Sequence, residues 1–287
     1  MAQLLITDLD NTLYNWMDYF APSFRGMVHA LSREMNVEED FLYAEFKKVF
    51  SKSGSVEYSF AIQELEFVQQ LSKEEIQKFV DLGKQVFSRV RQKNLVPYDG
   101  VEQTLKWATQ AGILVIGVSN APLFHAQRRL TKLNIDKYFY GLAAWEGNET
   151  PDNEHTTKIT ERVKNNSYRS RVKRLWSFTK DETKPSNLGY KRVITDLAND
   201  FSSTYIVGDS IAKDIEPAME LGAIGIWAKY GLDFERKNYE TVLKITPWTD
   251  KKQEEAYLHK TKEPDYTINS FSEIMGIVKP NQLQIFE

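Results

Sequence analysis

The sequence predicts an α/β fold in which a parallel-sheet core is interrupted by an inserted, all-helical domain. Three observations carry that reading. Short apolar, β-branched runs recur, and each closes on polar residues at the same end. Helical periods follow the later runs, as βαβ alternation requires. Between about Tyr14 and Asn94 the strand signals vanish, and apolar residues fall at helical spacing instead.

Leu4-Leu5-Ile6-Thr7 is the first such run and closes on Asp8; its unbroken apolar character suits a strand buried on both faces. The insert follows, with Phe41, Leu42, Phe46, Val49 and Phe50 at helical spacing. Ser72-Lys73-Glu74-Glu75 has the form of a capping box ahead of a helix running toward Val90. Pro97-Tyr98-Asp99-Gly100 marks the return, which places 1–14 and 97–287 in the α/β core and 15–96 in the helical insert. Glu102 to Gln110, with Gly112 after it, reads as a helix before the second strand, Ile113 to Val118, which closes on Ser119-Asn120. Asn120 is then a cap for a helix through Pro122, Phe124 and Leu130. Thr204 to Val207 closes on Gly208-Asp209, Asp214 begins a helix through Met219, and Ala223 to Trp227 resumes a strand. Trp145 to Pro185 reads as irregular and Tyr230 to Glu263 as polar without a clear element. Ile268 to Val278 reads as a terminal helix packing back on the core. Parallel strands gather their C-terminal ends, so Asp8, Ser119-Asn120 and Gly208-Asp209 converge on one crevice.

The bulk composition narrows the function classes. With 287 residues, 41% of them hydrophobic, the chain can bury one large core or two smaller ones. Lysine and arginine total 37 against 40 acidic residues, and a formal charge of -3 gives no reason to expect wholesale binding to nucleic acid or an anionic membrane. The absence of cysteine removes disulfides and thiolate metal sites. No apolar run approaches the roughly 20 residues a membrane span needs, and Met1 to Thr7 runs straight into a strand rather than a signal peptide, so a cytoplasmic location is expected. One local exception to the charge balance is the basic 158–180 segment, which carries Lys158, Arg162, Lys164, Arg169, Arg171, Lys173, Arg174 and Lys180 with Tyr168, Trp176 and Phe178 among them. It reads as a solvated loop, or else as a nucleic-acid-binding surface.

Side chains alternate along a strand, so Asp8 and Asp10 project to the same side at its end, where two close carboxylates call for a cation or a proton between them. A strand finishing in an Asx turn has the same sequence. Ser119-Asn120 offers a hydroxyl, an amide and backbone N–H groups for an anion, or simply a cap and a turn. Lys184, before Pro185, is a point charge for a phosphate or a solvated lysine. Asp209 and Asp214 leave a strand end and begin the next helix, which suits a hard cation or an acidic helix N-terminus. Oxygen-only ligation favours Mg²⁺ over zinc.

Taken in order, these residues resemble the four motifs of the haloacid dehalogenase superfamily. Asp8-Leu9-Asp10-Asn11-Thr12 matches the first motif, Ser119-Asn120 the second, Lys184-Pro185 the third, and Gly208-Asp209-Ser210 with Asp214 the fourth. The resemblance implies a Rossmann-like core, with residues 15–96 as a helical type-1 cap domain and Pro97 to Val101 as its hinge. It further implies a Mg²⁺-dependent phosphatase, similar to phosphoglycolate phosphatases, acting on a small phosphorylated substrate. Asp8 is then the nucleophile that forms an aspartyl phosphate, and Asp10 the acid and later the base. Asp8, the backbone carbonyl of Asp10, Asp209 and Asp214 hold the metal, and Ser119, Asn120 and Lys184 hold the phosphoryl group. The basic stretch makes the approach to the third motif longer than is usual in the family, so Lys180 and Lys158 are alternatives to Lys184. The Lys-Pro pair ahead of an apolar helical run through Tyr190 and Ile194 favours Lys184. Trp16, Tyr19, Phe20 and Tyr58 are the aromatic candidates for substrate contact in the cap, set against plain packing. Rival readings are a phosphomutase of the same site, a dehalogenase, a non-catalytic phospho-acceptor and the nucleic-acid-binding protein; substrate identity and oligomeric state are open.

Overall fold

The computed structural model describes residues 3–147, 169–197, 201–247 and 263–279. In chain order the elements used below are β1 (Gln3–Thr7), α1 (Trp16–Met35), α2 (Glu39–Ser53), α3 (Lys73–Asn94), α4 (Val101–Gln110), β2 (Leu114–Pro122), α5 (Leu123–Lys132), β3 (Gly141–Trp145) and β4 (Arg174–Phe178). They continue with α6 (Leu188–Leu197), β5 (Ser203–Gly208), α7 (Glu216–Glu220), β6 (Ile224–Ala228), α8 (Arg236–Ile245), β7 (Tyr266–Ile268) and α9 (Ile274–Ile277). The chain divides into two compact units, over their described residues. One takes Met1–Tyr14, Pro97–Leu232 and Gln253–Glu287, the other Asn15–Val96 and Asp233–Lys252.

The first unit is built on a seven-stranded sheet in the order β4-β3-β2-β1-β5-β6-β7, with every neighbouring pair parallel. All five residues of β1 are buried, the consequence of a central strand whose two faces are covered. Leu4 is opposite Leu114 of β2 on one side and Thr204 of β5 on the other, so β1 lies where the chain's two directions of sheet growth part. Such a switch point opens a crevice beyond the strand C-termini, and here Asp8 follows β1, Asp209 follows β5 and Ser119 lies near the end of β2. One core cluster packs Leu4, Ile6, Ile116, Val118 and Ile206 of the sheet with Tyr190, Val193 and Leu197 of α6.

Several elements differ from the sequence reading. The stretch from Trp145 to Pro185, expected to be irregular, begins at the last residue of β3 and contains the strand β4, which puts Trp176 and Phe178 into the core at 3% and 1% exposure. Five-residue strands with a basic neighbourhood carry too little alternation to announce themselves. Buried rings are no stacking platform for bases. Arg171 is ion-paired to Asp136 and Arg174 to Asp196, while Lys158, Arg162, Lys164 and Tyr168 lie outside the described residues. The expected helix from Ile268 to Val278 is shorter than read: Ile268 closes the edge strand β7, pairing with Ala228, and the helical part runs from a 3-10 turn at Phe271–Glu273 into the single turn α9. Among the described residues no helix is long and apolar enough to cross a membrane.

The second unit is helical. Asn15 caps α1 by accepting from the Asp18 N–H at 2.9 Å, and Ser72 and Glu75 form the reciprocal capping box of α3. Its aromatic core packs Phe24 edge to face on Phe46 at 5.1 Å between ring centroids and at a tilt on Phe50 at 5.8 Å. Helix α8 belongs to this unit, although the sequence reading left 97–287 whole: Asn238 donates to Asp18 at 2.7 Å and Arg25 to Thr241 at 2.8 Å. A return this distant in sequence leaves no periodic signature. Trp16, Tyr19 and Phe20 are core here, Trp16 stacking on Phe20 at 4.7 Å and donating to Glu57 at 2.8 Å, while Tyr58 meets Phe60 edge to face.

Candidate active site

Beyond β1 the chain turns sharply: the Asn11 N–H donates to the Tyr14 carbonyl at 2.8 Å, with Asn11 itself in the left-handed region at φ 59°, a conformation asparagine tolerates better than most residues. The turn leaves Asp8 at the strand tip, its own N–H held by the Val207 carbonyl of β5 at 2.8 Å. Next along the sheet, Asp209 follows Gly208, and a single π-helical turn, Ile211–Ile215, brings Asp214 back toward the strand end. Ser210 caps that turn by accepting from the Lys213 N–H at 3.3 Å. The return is tight enough that a Cβ on Gly208 would stand 2.3 Å from Asp214 Cγ. Gly231 makes a second close approach, since a Cβ there would lie 2.2 Å from the Asn11 carbonyl oxygen and 2.6 Å from Asp209 Cβ.

Asp8, Asp209 and Asp214 therefore meet, with one carboxylate oxygen from each inside 4.8 Å of the others, and all three residues are buried. Lys184 enters the same space. Its Nζ contacts Asp8 Oδ1 and lies 2.6 Å from Asp214 Oδ1, with the residue itself 7% exposed. Tyr190 of α6 donates to Asp214 Oδ1 at 3.0 Å, the Ser210 N–H to Asp214 Oδ2 at 3.2 Å, and Thr12 to Asp8 Oδ2 at 3.2 Å. Three carboxylates against one ammonium leave an excess of negative charge out of contact with water, which is costly unless protons or a cation answer it. Burial accordingly pushes the Asp8 carboxyl up from 3.8 to about 7, with Lys184 pulling it back and Asp214 and Asp10 pushing further. Burial, then Asp8 and Asp214, hold Asp209 well above the ordinary carboxylate value. For Lys184 burial acts downward, but Asp214 and Asp8 together outweigh it and keep the ammonium charged well past its usual range. Hard oxygen donors with surplus charge, and no sulfur, fit Mg²⁺.

Asp10 stands apart from this trio. Its Oδ1 accepts from the Tyr14 hydroxyl at 2.8 Å, and its Oδ2 accepts from the Ser119 hydroxyl at 3.1 Å and meets the buried Arg129 guanidinium of α5 at 3.4 Å. The side chain of Ser119 thus faces Asp10, where the sequence reading aimed it at an anion. Asn120 neither caps a helix nor points at such a site, because β2 runs on to Pro122 before α5 begins. Its amide instead donates to the Lys184 carbonyl at 2.7 Å and accepts from the Lys184 N–H at 2.8 Å. Of the three lysines the sequence offered, Lys184 joins the carboxylates, Lys180 lies over the Trp145 ring at 4.5 Å, and Lys158 falls outside the described residues. Thr12, Tyr14, Arg129 and Tyr190 also line the site. Only Thr12 had a sequence signal, its place beside the two aspartates.

A family model of haloacid dehalogenase-like hydrolases matches residues 2–222, and a HAD-hydrolase-like model matches residues 182–274. No curated protein sequence matches the chain. Among solved structures, a 2-haloacid dehalogenase from Pseudomonas syringae pv. Tomato is similar at 16% identity, with 96% of this chain and 98% of that one covered and a TM-score of 0.55. A HAD phosphatase from Thermococcus onnurineus is similar at 16% identity, covering 99% of this chain and 100% of that one, also with a TM-score of 0.55. At such identities the likeness establishes the fold; two reactions share it, so the reaction rests on the site.

Proposed function

We propose, from the premise that this chain belongs to the haloacid dehalogenase-like hydrolases, that it is a Mg²⁺-dependent phosphatase of a small phosphomonoester, working through an aspartyl phosphate on Asp8. One observation carries the reading: Asp8, Asp209 and Asp214 converge with Lys184, while Asp10 is held separately by donors of its own. A dehalogenase needs neither half of that arrangement, since halide leaves without a proton and carbon–halogen displacement calls for no carboxylate-bound cation.

An Asp8 oxygen attacks phosphorus as the ester P–O bond opposite it breaks, and Asp10 delivers a proton to the departing oxygen. Asp10 then takes a proton from the water that cleaves the acyl phosphate, which returns both carboxyls to their starting states. Lys184 moves its charge from Asp8 and Asp214 onto the phosphoryl oxygens as the nucleophile's own charge is consumed, and Ser119 joins it as a second donor by turning its hydroxyl away from Asp10. Asp8, Asp209 and Asp214 would hold Mg²⁺, with the Asp10 carbonyl as the family resemblance implies, and the ion would supply charge neutralisation for a dianionic substrate meeting an anionic nucleophile.

A screen of phosphorylated metabolites for phosphate release, run with and without Mg²⁺, tests the reading. Release that requires Mg²⁺ and disappears in Asp8→Asn is the expected result. Chloride release from 2-chloropropionate with no phosphate release from any ester would overturn it, and transfer of the phosphoryl group to a sugar in place of water would make the chain a mutase.

A further inference from the structure

We propose that Asn120 is a positioning residue, acting on the phosphoryl site only through the backbone of Lys184. The inference rests on the phosphatase reading. Lys184 works as a point charge, and its reach to Asp8 and Asp214 is set by where its backbone stands. The segment carrying it is tied from two directions. From α6, Arg192 grips Glu182 at 2.9 Å, and Glu182 in turn accepts from the Thr179 N–H at 2.9 Å. From the end of β2, the Asn120 amide pairs with both polar groups of the Lys184 residue, donating at 2.7 Å and accepting at 2.8 Å. A side-chain amide meeting a main-chain N–H and C=O in this way acts as a rung between strands would, and it fixes the Lys184 backbone in two directions at once. Asn120 spends its carbonyl oxygen and one of its two N–H donors on that pairing. It is also exposed, in contrast to Ser119 beside it at 1%, so shortening it opens no cavity in the core, but it takes a partner from both the N–H and the C=O of buried Lys184.

A double-mutant cycle separates action through Lys184 from direct contact with substrate or general loosening of the fold. The rate constant kcat/KM for a generic aryl phosphate is measured with Mg²⁺ in wild type, Asn120→Ala, Lys184→Met and the double variant. Asn120→Ala alone is expected to lose about 10–100-fold, the range typical when a supporting hydrogen bond to a functional group is removed. Placed on Lys184→Met, the same change is expected to cost less than about twofold, because the group it positions is gone. Losses that multiply in the double variant, or an alanine variant within about twofold of wild type, overturn the proposal. The same four proteins melted in metal-free buffer give a second cycle that needs no turnover, in which the clamp again predicts a smaller shift for Asn120→Ala when Lys184 is absent. A wild type that releases no phosphate refutes the functional reading alone, and the melting cycle then decides the clamp by itself.

Discussion

Replacing Lys184 with methionine keeps most of the length of the side chain and removes the one cation that, among the described residues, contacts both Asp8 and Asp214. The ammonium is buried with both partners, at 6% side-chain exposure for Lys184 against 6% and 1% for the two carboxylates, so solvent screens the interaction little. Breaking a buried pair by removing one partner costs about 3–5 kcal/mol, because the charge left behind stays out of water. At roughly 2–4 °C per kcal/mol for a domain of this size, the metal-free variant should melt about 10 °C below wild type at neutral pH. Differential scanning calorimetry in EDTA measures this, and a parallel scan with Mg²⁺ should recover part of the loss, since a cation bound by the same carboxylates replaces the missing charge. A variant that melts within about 2 °C of wild type would show that the ammonium does not offset the carboxylates, and the electrostatic account of the site would fail with it.

Three further outcomes follow from the same geometry. The Asp8 carboxyl, at 3.8 in the unfolded chain and about 7 in the folded one, contributes stability that is present below the lower value and lost as pH rises through the upper. In EDTA, Asp8→Asn should therefore gain on wild type as pH rises from about 4 to about 7, with the difference levelling off above that, and Mg²⁺ should narrow the gap; a difference that does not change with pH would refute the raised value. Gly208→Ala drives a Cβ to 2.3 Å from Asp214 Cγ, so the variant should lose roughly 1–3 kcal/mol of stability and bind Mg²⁺ more weakly by calorimetric titration; unaltered binding would show that Asp214 is free to move. Ser72→Ala removes the cap of α3 and should cost about 1 kcal/mol in denaturant unfolding with no change in Mg²⁺ binding, while an unchanged midpoint would mean that the capping box does not hold in solution.

Local rules carry as far as local causes do. The capping box at Ser72 and Glu75, the buried run of β1 and the strand end at Gly208-Asp209 were legible because each depends on residues within a few positions of itself. The partners of the site were less so. Tyr190 and Arg129 read as ordinary members of helical runs, and nothing in their neighbourhoods announces that one would donate to Asp214 and the other face Asp10. Helix α8 and strands β4 and β7 were missed for a related reason: short elements are specified by what they pack against, and that lies far away in the chain.

The sequence by itself determined the tips of β1 and β5, since apolar runs ending in Asp8 and Asp209 admit few other elements, and parallel pairing sends such tips to one edge, while β2 runs past Ser119 to Pro122. Only the tertiary structure decided which side chains share a space there: Asp214 joins Asp8 and Asp209, Lys184 stands among them, Ser119 turns to Asp10, and Asn120 takes hold of the Lys184 backbone. The physical reason is that a strand end is set by backbone pairing and burial, which periodicity encodes. The direction of a charged side chain is set by the sum of opposed charges and donors brought in from distant segments, and no window of sequence contains that sum.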